Sequence, residues 1–239
     1  MRNIATALAG LALALACGCG RPEPGCARPP AAGGVLVLAT TKGSAPYSDY
    51  DETTGAFVGI SIDLARAAAR RMGLPLEIVA MDFSELIPAV KSGRADFAVE
   101  AITITPSRLR DVDFSLSYAS DGGAFLYRRG EDCPTVPTAG RFRIAVQTGS
   151  LCQFYLCYHD VDPVCYPEYA DAVEALDAGR LDAVFHDAES IRHTIRCTPG
   201  RYAMSPLETR ENYGVAVRKD FPALTQAVNA VIAEGRRSK

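Results

Sequence analysis

Three places in the sequence could hold a small charged molecule. Arg108 follows the run Thr103-Ile104-Thr105-Pro106-Ser107. Its guanidinium is a planar fork of N–H donors that matches the two oxygens of a carboxylate. Just ahead of it, Thr105 reads as a helix cap and Pro106 as a first-turn residue, so Arg108 should ride on a helix start. Gly149-Ser150 lies where a short apolar run turns into a helical pattern, and free N–H groups and the helix dipole favour an anion at such a point. Asp187 follows the apolar run 181–185, at the C-terminal end of an expected strand, where α/β sheets place ligands. Each has a plainer reading. A helical arginine near Asp111 or Asp113 is commonly a solvated ion pair worth under about 1 kcal/mol, and Asp187 alone could cap a helix over 190–196. Covalent chemistry finds less support, since neither a nucleophile elbow nor a phosphate-binding glycine loop is present. His159 lies near Cys157 and Cys165, but the spacing matches no tight CxxC pair, which disfavours zinc. No metal and no cofactor are expected.

The elements that must position these residues alternate between strand and helix. Residues 35–39 form a short apolar run bounded by glycine, as a buried parallel strand should. A helix follows over 64–72, opened by 61–63, with Ala and Leu on one side, three arginines on the other and Gly73 ending it. Strands over 76–80 and 96–101 flank a helix over 84–92, and Thr105-Pro106 starts the next helix. The pattern then restarts. Strands are expected over 142–147, 164–166, 181–185 and 213–217, and helices over 151–158, 170–178, 190–196 and 222–233. This β-α-β-α order implies two α/β lobes, each with a mostly parallel sheet flanked by helices. The expected division is 35–124 with 212–239 for the first lobe and 125–211 for the second. The segments 124–127 and 208–214 are the expected crossings between them.

Composition narrows the function. The chain has 239 residues, 48% hydrophobic and 22% charged, which excludes disorder as its main state. Lys+Arg 25 against Asp+Glu 28 gives a net charge of -3, without the basic excess of a generic nucleic-acid binder. No apolar run after residue 20 reaches the roughly 20 residues that a bilayer span needs. The first 19 residues have the layout of an export leader: a basic start, an apolar stretch, then small residues. Leu13-Ala14-Leu15-Ala16-Cys17 resembles a bacterial lipoprotein cleavage box, with Cys19 as a competing lipidation site and a plain secretory signal as the simpler alternative. Residues 20–34 are rich in Pro, Gly and Ala and read as a flexible tether. Export to an oxidising compartment makes Cys133, Cys152, Cys157, Cys165 and Cys197 disulfide candidates, although five is odd.

Three stretches carry a family resemblance. The first is Gly59-Ile60-Ser61-Ile62-Asp63-Leu64-Ala65. The second runs over 81–96, through Ile102-Thr103-Ile104-Thr105-Pro106-Ser107-Arg108, to Val112-Asp113-Phe114-Ser115. The third is Ala145-Val146-Gln147-Thr148-Gly149-Ser150, followed by 175–187. In this order they resemble the bacterial extracellular solute-binding proteins of family 3, receptors of polar amino acid ABC importers, over about residues 35–233; glutamine- and histidine-binding members are the nearest in pattern. The resemblance implies a type II periplasmic-binding-protein-like fold that closes on a small ligand at a two-segment hinge. It implies no enzymatic activity, and as partners an amino acid, a membrane permease and no nucleic acid. A monomer is expected, in the periplasm or on the outer face of the envelope, held by lipid. The resemblance also assigns residues. Arg108 takes the ligand carboxylate, with Thr103 adding a hydroxyl and Gly149 and Ser150 clamping from the second lobe. Asp187 takes the ammonium, Phe83 forms an apolar wall, and His186 matches a histidine of glutamine-binding relatives. Thr41, Ser44 and Ala101 complete the expected ligand-binding set.

Some positions depart from the family pattern. Many relatives have an acid at the position of Thr41 and an aromatic at that of Ser44, and their loss argues for a neutral or acidic ligand. Glu100 points the other way. It stands where relatives carry a small residue, and an acid there could read a basic side chain or simply face solvent. A chain that stops at Lys239 and lacks Trp is expected to leave the first lobe less covered than in relatives. Two other functions compete: a cyclohexadienyl or arogenate dehydratase on the same scaffold, with Glu189 and His186 as the nearby acids, and a ligand sensor that feeds no transporter.

Overall fold

The computed structural model describes Ala31 and residues 34–237. The expected leader with Cys17 and Cys19, and Cys26 with nearly all of the tether, lie outside the described residues.

The first sheet forms around β1 (Leu36–Thr40), whose Leu36, Leu38, Ala39 and Thr40 are all buried. A small hairpin, β2 (Asp49–Asp51) and β3 (Ala56–Val58), precedes α1 (Ile60–Met72). α1 buries Ile62, Ala65, Ala68 and Ala69 on one face, and Arg70 and Arg71 sit in its last turn, where cations suit the helix dipole. Gly73 ends it at φ 66, the left-handed conformation that glycine adopts without penalty. The chain continues through β4 (Leu76–Ala80), α2 (Phe83–Lys91), β5 (Phe97–Ala98), the single-turn α3 (Pro106–Leu109) and β6 (Asp113–Phe114). With β14 (Ala216–Val217), the sheet order is β4-β1-β5-β14-β6. β4, β1 and β5 are parallel, while β14 runs antiparallel to both of its neighbours.

The second sheet contains β8 (Gly123–Arg128), β9 (Ile144–Gln147), β10 (Val164–Tyr166), β11 (Ala183–Asp187) and β12 (Tyr202–Met204), in the order β10-β9-β11-β8-β12. α4 (Leu151–Tyr158), α5 (Tyr169–Asp177) and α6 (Ala188–Cys197) cover it. Apolar residues line both faces of each sheet. In the first lobe, α1 and α7 (Pro222–Arg237) pack Ile62 and Val228 on one face, and α2 packs Leu86 and Val90 on the other. In the second, Leu176 and Ile191 cover one face and Leu156 the other. A buried ion pair ties the start of β5 to the end of β14: Asp96 accepts from the Val37 N–H at 2.9 Å and meets Arg218 at 3.5 Å.

Three sequence expectations change. Residues 124–127 do not cross between lobes. They lie in β8, where Ala124, Phe125 and Leu126 are fully buried, too apolar for an exposed link. The crossing falls a few residues earlier, in the antiparallel ribbon of β7 (Ala119–Asp121) and β13 (Glu211–Tyr213). The strand expected over 213–217 is two strands, because the chain leaves the ribbon at Tyr213 and joins the first sheet at Ala216. At Gly214, between them, a Cβ would stand 2.9 Å from the Ile104 side chain. The strand expected over 96–101 keeps regular pairing only at Phe97–Ala98, since Ala101 turns the chain away at φ 41.

The five described cysteines are free, against the expected disulfides. Three are engaged locally: Cys133 with the Pro134 carbonyl, Cys165 with the Pro163 carbonyl and Cys197 with the His193 ring, while Cys152 is buried in α4 and Cys157 is exposed. Among the described residues no helix is long and apolar enough to cross a membrane.

Candidate functional site

Both sheets are mixed, with two parallel and two antiparallel pairings each, and their parallel strands point their C-terminal ends at the space between the lobes, the usual place for ligands in α/β folds. Arg108 reaches that space from α3. The Thr105 side chain accepts from the Arg108 N–H at 3.2 Å and starts the turn, with Pro106 in its first position. The guanidinium spans the lobes: Nη1 donates to the Thr103 carbonyl at 2.9 Å, and Nη2 donates to the Gly149 carbonyl of the second lobe at 3.2 Å. Its carbon lies 5.5 Å from the Phe83 ring centroid, within range of a cation–π contact. Burial lowers the Arg108 pKa, and the carboxylates of Glu211 and Asp187 oppose that shift.

Across the cleft, Ser150 caps α4. Its hydroxyl accepts from the Gln153 N–H at 3.2 Å and donates to the Gln147 carbonyl at 2.6 Å. Gly149 adopts φ 75, and a Cβ there would stand 2.9 Å from the Ser84 Cβ of the first lobe. A Cβ on Gly43 would likewise stand 3.1 Å from Ala170. These approaches define a closed arrangement of the lobes.

Asp187 ends β11 with one carboxylate oxygen accepting from the Tyr213 hydroxyl at 2.7 Å. Burial, reinforced by Glu211, pushes its pKa up to about 8. His186 is buried with its ring 4.2 Å from that of Tyr169, and its Nε2 lies 3.4 Å from Gln147 Oε1. Burial holds its pKa down at about 3. Phe83, Ala101, Thr103, Ser150, His186 and Asp187 all line one inter-lobe cavity of about 10 Å³. Arg108 and Gly149 line the open groove beside it, which Phe83 shares. Thr41 and Ser44 stand apart from both. They are fully buried in the loop after β1, with their hydroxyls 3.3 Å from one another.

The structure adds residues that the sequence reading did not assign. Glu211 and Tyr213 enter from β13, and Cys152 from the first turn of α4. Thr103 donates to Glu211 at 2.5 Å and Thr209 donates to its other oxygen at 2.6 Å. The expected crossing at 208–214 was the available signal, because a hinge strand runs along the floor of the cleft. Donor atoms of Cys152, Asp187 and Glu211 lie within 4.8 Å of one another. Both carboxylates already accept hydroxyl hydrogen bonds, so the trio reads as the acidic floor of the cleft.

Two α/β lobes, a two-strand ribbon between them and converging charged groups in the cleft define a hinged binding protein. The chain belongs to the bacterial extracellular solute-binding proteins, family 3, whose model matches residues 36–239. It is 29% identical over 216 residues to the lysine/arginine/ornithine-binding periplasmic protein of Escherichia coli, covering 85% of this chain and 83% of that one. It is 29% identical over 244 residues to a probable histidine-binding protein of Neisseria gonorrhoeae, covering 98% and 90%. The structure of holo ArgBP from T. maritima superposes with a TM-score of 0.79 at 31% identity, covering 85% and 91%. This chain is a solute-binding protein with the type II periplasmic-binding-protein fold.

Proposed function

We propose that the chain captures a polar amino acid between its lobes and delivers it to the membrane permease of an ABC importer. It would work in the periplasm or on the outer face of the envelope, anchored by lipid on Cys17 or Cys19. The observation that carries this reading is the Arg108 guanidinium, held open-handed between carbonyls of both lobes. Those donors would exchange carbonyls for the ligand carboxylate, whose two oxygens fit the fork. Gly149 and Ser150 would add backbone N–H groups at the α4 start, and the Thr103 hydroxyl would lie beside them. Asp187 would take the ammonium, and Phe83 would wall the cleft. The remaining cavity of about 10 Å³ has room for roughly one water molecule, so ligand entry requires the lobes to separate.

The dehydratase reading finds less support. Its acid Glu189 lies in ion pairs with Arg192 at 3.1 Å and Arg196 at 2.9 Å on the α6 surface. Partial burial works against its ionisation, but those arginines outweigh burial and hold its pKa low, which suits a carboxylate and not a proton donor.

A thermal-shift screen against the twenty amino acids tests the proposal, since a ligand that binds only the folded state raises the melting temperature. A shift with one or a few polar amino acids is expected. Arg108→Ala should abolish binding of every one of them, because it removes the group common to all. An Arg108→Ala variant that binds as tightly as the parent overturns the site.

A further inference from the structure

The carboxylate and ammonium contacts leave a buried acid beside the cleft without a role. Glu100 follows the last paired residue of β5, at the ligand-facing edge of the first sheet. β5 pairs with β1 through Leu38 with Phe97 and Ala39 with Ala98, so the same register places Glu100 opposite Thr41. Glu100 is 3% exposed, and its Oε2 has no hydrogen-bond partner. An unpaired buried carboxylate oxygen is costly unless a ligand supplies the partner. The hydroxyls of Ser44 and Thr40 lie against the carboxyl group, and the second-lobe acids Glu168 and Asp187 act on it across the cleft. The next residue, Ala101, lines the inter-lobe cavity and holds φ 41, a conformation that L residues rarely adopt. Such backbone strain clusters at ligand sites.

The charges sharpen the point. Asp187 and Glu211 face the Arg108 guanidinium, and Glu100 faces Asp187 and Glu168. A neutral zwitterion brings one positive and one negative group and leaves that acidic excess as it was. A third, cationic group on the ligand offsets it.

We propose that Glu100 reads the ligand's side chain, and that the ligand is an amino acid whose side chain ends in a guanidinium or an ammonium. The inference rests on the amino-acid-binding reading above. Burial, with Asp187 and Glu168 nearby, holds the empty site's Glu100 well above the usual carboxylate range. A cation beside it returns it to the ionised form and occupies the orphaned oxygen.

Isothermal titration of the full chain tests this with two matched pairs: arginine against its uncharged isostere citrulline, and lysine against norleucine. In the parent, at least one cation should bind about tenfold to a hundredfold tighter than its neutral match. Glu100→Gln keeps the shape and removes the charge. It should shrink that preference to about threefold or less, and Glu100→Asp should restore part of the preference. A parent that binds the neutral member as tightly, or a preference that survives Glu100→Gln, overturns the inference. If the parent then binds a neutral amino acid that Arg108→Ala abolishes, the amino-acid reading stands and only the role of Glu100 falls. If the parent binds no amino acid, both fall.

Discussion

His186 shows how one side chain's chemistry is set by its surroundings. Its ring is packed 4.2 Å from Tyr169 inside the second lobe, and burial pushes its pKa down to about 3, with a weaker upward pull from the Asp187 backbone. Nuclear magnetic resonance should therefore find this histidine neutral throughout pH 5–8. In the unfolded chain the same ring takes up a proton near pH 6.5. Its contribution to stability is therefore full above about pH 6.5 and falls away as the pH drops toward 3. A titration midpoint near 6.5 in the native protein would place the ring in solvent instead. The neighbouring Asp187 was legible as an acid at a strand end. That it leans on Tyr213 was not, because the two lie on different strands 26 residues apart.

At the scale of the element, local signals were read well where they act locally. Ser150 as a cap and the helix over 151–158 follow from side-chain chemistry within one turn, and α4 spans Leu151–Tyr158. Strands β13 and β14 read in sequence as one strand over 213–217, because a short apolar run does not reveal that its two ends pair with different partners. Gly149 joins the two levels, ending β9's turn while touching Ser84 across the cleft. Gly149→Ala would force a Cβ to 2.9 Å from the Ser84 Cβ and strain a φ of 75. It should bias the protein toward an open form, enlarging the radius of gyration in small-angle scattering and weakening ligand binding severalfold. An unchanged radius and affinity would mean that the lobes do not meet there on closing.

At the scale of the whole molecule, closure brings Glu168 of the second lobe against Lys42 and Asp82 of the first. Burial raises its pKa to about 7, Asp82 and Asp171 add to that, and the Lys42 backbone N–H with the lysine charge opposes it. Its Oε2 is buried without a partner. A solvated glutamate titrates near 4.3, so closing takes up a proton at pH values between about 4.3 and 7. The closed fraction of unliganded protein should accordingly rise as pH falls through that window, as read by fluorescence energy transfer between the lobes. Glu168→Gln should weaken the dependence, leaving the part that the buried Asp187 and Glu100 carry. A closed fraction that falls on acidification would assign lobe closure to other groups.

The sequence alone determined what depends on near neighbours. Helix caps, strand runs, the order of the motifs and the family they imply are set by residues within a turn or a strand of each other. Only the tertiary structure decided the environment of each charge. Glu100 could equally have faced solvent on sequence grounds, and the closed lobes bury it beside Ser44 and in the field of Asp187. The acid missing at Thr41 has a candidate counterpart one strand away, and the proposed basic ligand rests on that placement. Glu211, Tyr213 and the free cysteines were settled in the same way. Burial, the field of distant carboxylates and the meeting of atoms far apart in sequence exist only once two sheets and a hinge have been assembled.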